Sequence, residues 1–167
     1  MKVIFKERMA GKIFIEKKEI PAEFNIEAES DFTPYGLIRG ELLFKIKGTL
    51  DTRAFSNECH CENKAASRNC GRCKNVSYQL DGWLKIDLPR RKLIYEFYFG
   101  DESLDFFFRG EKNVQIGGAR KLLKTMTYLP GAITCDDDSV VPRMAVFRFD
   151  LKHDLPPMLL SFRLRFK

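Results

Sequence analysis

Val76-Ser77-Tyr78-Gln79-Leu80-Asp81-Gly82-Trp83-Leu84-Lys85-Ile86-Asp87-Leu88 is the stretch on which the fold of this chain turns. From Val76, every second residue is apolar, aromatic or small, and Ser77, Gln79, Asp81, Lys85 and Asp87 lie between them. A period of two belongs to a strand with one buried face, whereas a helix repeats near 3.6. Pro89-Arg90-Arg91-Lys92 reads as a turn, and the alternation resumes in Leu93, Tyr95, Phe97 and Phe99. Gly100-Asp101-Glu102-Ser103 reads as a second turn, followed by Leu104, Phe106 and Phe108. The stretch from Val76 to Gly110 thus predicts a three-stranded antiparallel meander with its aromatic residues toward the core.

The same pattern suggests a register. Pairing Leu88 with Leu93 sets Ile86 against Tyr95, Leu84 against Phe97 and Gly82 against Phe99. Pairing Phe99 with Leu104 sets Phe97 against Phe106 and Tyr95 against Phe108. Both keep the apolar set on one face, which a one-residue slip would invert. Gly82 then reads as a bend covered by an aromatic ring. On the outer face this register brings Lys85 to Glu96 and Trp83 to Tyr98, with Phe107 on the same side. Those aromatics read as a partner or ligand platform, or as a face covered by segment 111–130.

Outward from the meander, Val3, Phe5, Met9, Gly11, Ile13 and Ile15 share one parity and predict a long first strand that Ile20-Pro21 breaks. A second strand is expected over 23–30. A third is expected over 37–50, carrying Ile38, Gly40, Leu42, Phe44, Ile46, Gly48 and Leu50. Residues 111–115 read as a strand continuation, and 119–129 as a helix or a strand centred on 124–129. Arg143 to Leu151 and Met158 to Phe166 alternate again, and the first and last strands are candidates to pair. About eight to ten strands with one apolar face each predict an all-β protein. The expected architecture is an antiparallel, closed or nearly closed barrel of lipocalin or calycin type, with a β-sandwich as the alternative.

Length and composition agree with a single domain over 1–167. At 167 residues, with 44% hydrophobic and 31% charged residues, the chain can bury a sizeable core, and its 15 phenylalanines suit strands. No apolar run approaches the ~20 residues of a spanning helix. The N-terminus MKVIFKERMAGKIFIEKKE has no apolar secretion core, so a cytoplasmic location is expected. The net charge of +6 permits nucleic acid or anionic lipid as partners, and a solvated surface equally.

The inserted loop 51–75 interrupts the alternation and holds Cys59-His60-Cys61 and Cys70-Gly71-Arg72-Cys73, four of the five cysteines. Two closely spaced thiol pairs suit a tetrahedral ion, so Cys59, Cys61, Cys70 and Cys73 are expected to hold a structural Zn²⁺. His60 is a substitute ligand and an iron–sulfur cluster an alternative. Disulfides or free thiols are the other readings. Asp136-Asp137-Asp138 reads as an acidic turn, with a hard cation as the other reading.

Catalytic patterns are sparse. Of the two histidines, His153 beside Asp154 is the one candidate general base, and no hydrolase, metalloprotease or phosphate-loop motif is present. The inward polar set is thin: Tyr78, Tyr95 and Thr125 or Tyr128. The leading expectation is therefore a non-enzymatic barrel that binds a hydrophobic small molecule, lipid- or sterol-like, or a partner protein. Tyr78, Tyr95, Phe97, Phe106 and Phe108 are its ligand-facing candidates. An isomerase- or cyclase-type enzyme on the same barrel is the alternative, and it requires polar residues converging inside. A nucleic-acid module is the third reading, without any RNP-type sequence to support it.

Phe5-Lys6-Glu7-Arg8-Met9-Ala10-Gly11 resembles the opening F-x-E-x-M-x-G of a lipocalin-like barrel domain associated with cholesterol-oxidase-like (GMC-type) flavin oxidoreductases. Asp81-Gly82, the aromatic strand pair, Phe108-Arg109-Gly110-Glu111-Lys112 and the stretch 124–128 are similar to later steps of that family, and the cysteine loop departs from it. The resemblance implies a barrel that binds apolar ligands or assists a flavin oxidoreductase as partner. It implies no catalytic residues.

Overall fold

The computed structural model describes residues 2–15, 18–31, 38–55, 76–100, 105–115, 125, 127–135 and 143–165. Its strands are β1 (Lys2–Ile15), β2 (Lys18–Asp31), β3 (Glu41–Thr52), β4 (Val76–Asp87), β5 (Lys92–Gly100), β6 (Asp105–Asn113), β7 (Tyr128–Cys135) and β8 (Arg143–Arg148). A helix α1 (Leu155–Ser161) and a short β9 (Arg163–Arg165) follow. Each of β1–β8 is antiparallel to the next, and β8 returns to β1, so eight strands close into a barrel. The barrel reading holds over the sandwich. Cys59, Cys61, Cys70, Cys73, His60 and Asp136–Asp138 lie outside the described residues.

Closure is uneven. All 14 residues of β1 pair with β2, but only Ala10–Phe14 pair with β8. Where β8 has ended, α1 and β9 take its place along β1. The Ser161 hydroxyl accepts from Lys6 N at 2.7 Å, and Lys2–Ile4 pair with Arg165–Arg163. First and last strands do pair, as expected, but outside the ring.

The structure corrects several expected details. The meander exists with its predicted faces, yet both registers are displaced by two residues. Ile86 pairs with Leu93, Leu84 with Tyr95, Gly82 with Phe97 and Leu80 with Phe99. Phe99 pairs with Phe106, Phe97 with Phe108 and Tyr95 with Gly110. For β4 and β5 the cause lies in the turn that joins them. Asp87 accepts from Arg90 N at 3.0 Å, and Arg91 takes a left-handed φ of 56°. This four-residue turn draws Leu88 out of the strand. On the outer face Lys85 therefore meets Glu41, Glu96 meets Arg109, and Trp83 sits opposite Glu96. Tyr98 touches Phe107, with ring centroids 4.8 Å apart.

Pro21 does not break the chain; it sits inside β2, one residue before β3 begins to pair at Ala22↔Thr52. Residues 158–161 are helical rather than extended. Prolines at the first helical positions preset the backbone there, and Leu155 and Met158, three apart, pack on the core. β7 begins at Tyr128 and contains Pro130-Gly131, a pair that reads as a breaker.

Inside the barrel the side chains form layers. Phe55, Tyr78, Phe99 and Phe106 fill the end where β3 finishes and β4 starts (the far mouth). Next, Phe24, Phe97, Phe108 and Phe147 make a closed ring. Phe97 stacks on Phe108 at 4.7 Å, Phe108 meets Phe147 at 5.5 Å, Phe147 meets Phe24 at 4.8 Å, and Phe24 meets Phe97 at 5.8 Å. These rings come from β2, β5, β6 and β8 and span the cross-section. An eight-stranded barrel is narrow enough for side chains to do this.

Candidate functional site

The layer next to the phenylalanine ring is polar. Inward parity on β1 runs Phe5, Glu7, Met9, and on β6 it runs Phe108, Gly110, Lys112, so both strands aim a charged residue at the axis. β1 and β5 are four strands apart in a ring of eight, hence opposite, and a tyrosine is long enough to reach across. Tyr95 does so, its hydroxyl donating to Glu7 Oε2 at 2.9 Å. Lys112 Nζ donates to Glu7 Oε1 at 3.4 Å and to the Tyr95 oxygen at 3.3 Å, and lies 3.5 Å from Met9 Sδ. It also sits 4.9 Å from the centroid of the Tyr95 ring. The three residues are 7, 1 and 2% exposed for Glu7, Tyr95 and Lys112 respectively, so water does not satisfy them and they satisfy each other.

Burial dominates the electrostatics. Desolvation first, then the charge of Glu7 and its hydrogen bond, push the Tyr95 phenol well above its ordinary 10.0. Desolvation pulls the Lys112 ammonium below 10.5, and the charge and hydrogen bond of Glu7 offset part of that. Chemically the set is an ion pair bridged by a neutral phenol. It can hold a proton at a fixed place, and it is shut off from bulk water.

A groove adjoins this layer at the other end of the barrel (the near mouth), where β4 ends and β5 starts. β6 and β7 pair only as far as Gly110↔Gly131, where the Phe108 ring occupies the space a side chain on Gly131 would need, 2.4 Å from an added Cβ. Beyond that point the two strands follow their other neighbours. Val114 N donates to Arg91 O, and Phe149 N donates to Thr127 O, 2.8 and 2.9 Å respectively. The gap between them is a groove of about 880 Å³. Tyr128, Pro130, Phe149 and Leu151 give it an apolar body, and Asn113, Gln115, Thr125 and Arg148 a polar fringe. Lys112 borders the groove and turns its ammonium inward to Glu7.

The predicted ligand-facing residues Tyr78, Tyr95, Phe97, Phe106 and Phe108 are all buried inside the barrel and belong to its core cluster. Thr125 and Tyr128 line the groove rather than the interior. Sequence reasoning missed Glu7 and Lys112, although a charge at an inward position of an alternating strand was the available signal. His153 bonds through Nδ1 to Asp150, at 2.8 Å, rather than to Asp154. Asp154 is buried and is held by Asp150 N and Arg8. Among the described residues no group of three or more His, Cys, Asp or Glu is placed to hold a metal ion, and no helix is long and apolar enough to cross a membrane. No protein-family model, curated protein or solved structure matches the chain.

Proposed function

We propose that the protein is a non-enzymatic binding barrel that takes a small, mainly apolar molecule in the groove between β6 and β7. The observation that carries this reading is the parting of these strands beyond Gly110 and Gly131. It creates about 880 Å³ of space with an apolar body and a polar fringe, beside an axis crossed by phenylalanine rings. That volume lies within the range of small-molecule sites, ~300–1,000 Å³. Native mass spectrometry of protein purified without detergent tests it, together with uptake of a fatty-acid probe. One bound molecule per chain is expected, and Asn113→Trp, which fills the groove from an exposed wall, should weaken probe binding at least about tenfold. A bare chain that takes up no probe would end the proposal.

Two further parts of this reading rest on the sequence. A structural Zn²⁺ on Cys59, Cys61, Cys70 and Cys73 predicts about one zinc per chain by elemental analysis. A flavin oxidoreductase as protein partner rests on the resemblance, and co-purification with such an enzyme tests it. The convergence of Glu7, Tyr95 and Lys112 favours one second reading, an isomerase- or cyclase-type enzyme. It requires a substrate to reach a layer that is now sealed, and Tyr95→Phe would then abolish turnover while leaving groove affinity intact.

A further inference from the structure

Exposed apolar side chains gather at the near mouth. Ile38, Leu88, Leu160, Phe162 and Leu164 are 83, 57, 86, 47 and 57% exposed. Others such as Trp83 stand on the outer wall between the two ends.

These side chains are carried on structures that support one another. Leu88 N donates to Gly40 O at 2.8 Å, joining the turn before β3 to the β4–β5 turn. Phe162 stacks on Phe5 at 5.1 Å, and Phe5 meets Phe44 at 5.3 Å, which ties the segment after α1 to the barrel interior. β9 continues from Phe162 along the first residues of β1. The apolar groups thus protrude from fixed turns and a short helix.

Their surroundings are cationic. Arg91 and Arg163 are exposed, and the Arg90 side chain is 74% exposed while pairing with Asp87 at 3.4 Å. Among the described residues, three carboxylates here are engaged: Asp87 is buried and accepts from Arg90 N, Glu41 pairs with Lys85, and Glu29 pairs with Lys2. The whole chain carries a net charge of +6. Protruding leucines fringed by guanidinium groups match a surface with an anionic outer layer over an apolar interior. A bilayer with anionic headgroups has that profile, and it needs no fixed shape to receive separate protrusions.

We infer that the near mouth is a docking surface for an anionic lipid bilayer, with its leucines entering the headgroup boundary and its arginines on lipid phosphates. The inference is independent of what fills the groove. Vesicle co-sedimentation tests it, with phosphatidylcholine alone and with about a third phosphatidylglycerol. The protein should pellet with the anionic vesicles only, and come off when salt is raised from ~0.05 to ~0.5 M. Leu160→Asp should weaken partitioning at least about tenfold, and Arg91→Gln about fivefold. Both positions are exposed, and an unchanged circular dichroism melt verifies that the fold is kept. Arg91→Gln leaves α1 untouched and gives a second readout should Leu160→Asp disturb the helix. Equal binding to both vesicles, no binding to either, or full binding by both variants would overturn the inference. So would self-association that Leu160→Asp abolishes in a protein that ignores vesicles, since the patch would then be an interface between copies.

Discussion

The Glu7–Tyr95–Lys112 layer is where single residues matter most. Each of the three is buried and each completes the hydrogen bonding of the others. Removing one partner leaves a charge in a medium that solvates it poorly, whereas removing both charges does not. Lys112→Met should therefore cost about 3 kcal/mol in urea denaturation, and adding Glu7→Leu should restore most of it. Equal stability of the single variant and the wild type would mean that the pair is not formed. The layer also sets an alkaline limit. Tyr95 keeps its proton in the folded state at pH values where the unfolded chain, with its ordinary value of 10.0, has released it. Its contribution is complete below about pH 10 and is lost as the pH climbs toward the raised folded value. Lys112 acts in the opposite sense. Its folded value is lowered, so its burial cost is complete below that value and is relieved as the pH rises toward 10.5. Tyr95→Phe removes the phenol alone, so its stability deficit against wild type should narrow between about pH 10 and 11. A deficit constant over that range contradicts the assignment. Of this layer, the sequence made Tyr95 legible as inward and polar. Glu7 and Lys112 stayed hidden because a lone charge at an inward position looks like a break in the pattern until its partner across the barrel is known.

At the scale of elements, alternation was a sound guide to faces and a poor one to ends. It placed Leu84, Tyr95, Phe97 and Phe108 inside correctly. It could not see that the Asp87 carboxylate builds a wider turn, and so the register moved by two residues and kept every face. Two short segments resisted for different reasons. In β7, Pro130-Gly131 looks like a break, yet Gly131 is required because the Phe108 ring fills the space beside it. In α1 a chance alternation of Met158, Leu160 and Phe162 outweighed the helix-starting prolines. Gly82, expected opposite Phe99, lies opposite Phe97 instead, and the strands approach closely there: a Cβ would lie 2.1 Å from Glu96 O and 2.5 Å from Phe97 Cα. Backbone of the adjacent strand cannot move aside as a side chain can. Gly82→Ala should cost about 2 kcal/mol or more in chemical denaturation, against less than about 0.5 kcal/mol for Ser77→Ala on the exposed face of β4. Equal costs would show that β4 and β5 do not approach so closely at this point.

At the scale of the molecule, the closed barrel followed from the number and length of its one-faced strands, and the structure bears that out. Whether such a barrel is hollow was not legible, because 15 phenylalanines can line a cavity or fill it. The ring of Phe24, Phe97, Phe108 and Phe147 and the cross-barrel reach of Tyr95 fill it at mid-height. The groove proposed to take a ligand arises where β6 and β7 part, a feature of pairing that no single strand encodes. Amide chemical-shift mapping during titration with a fatty-acid probe tests this account most directly. The predicted result is saturable shifts at Asn113, Gln115, Tyr128, Phe149 and Leu151, with Phe97, Phe106 and Phe108 unmoved. Shifts centred on Phe97, Phe106 and Phe108, with the groove silent, would mean that the ligand enters the barrel axis and that the interior is not sealed.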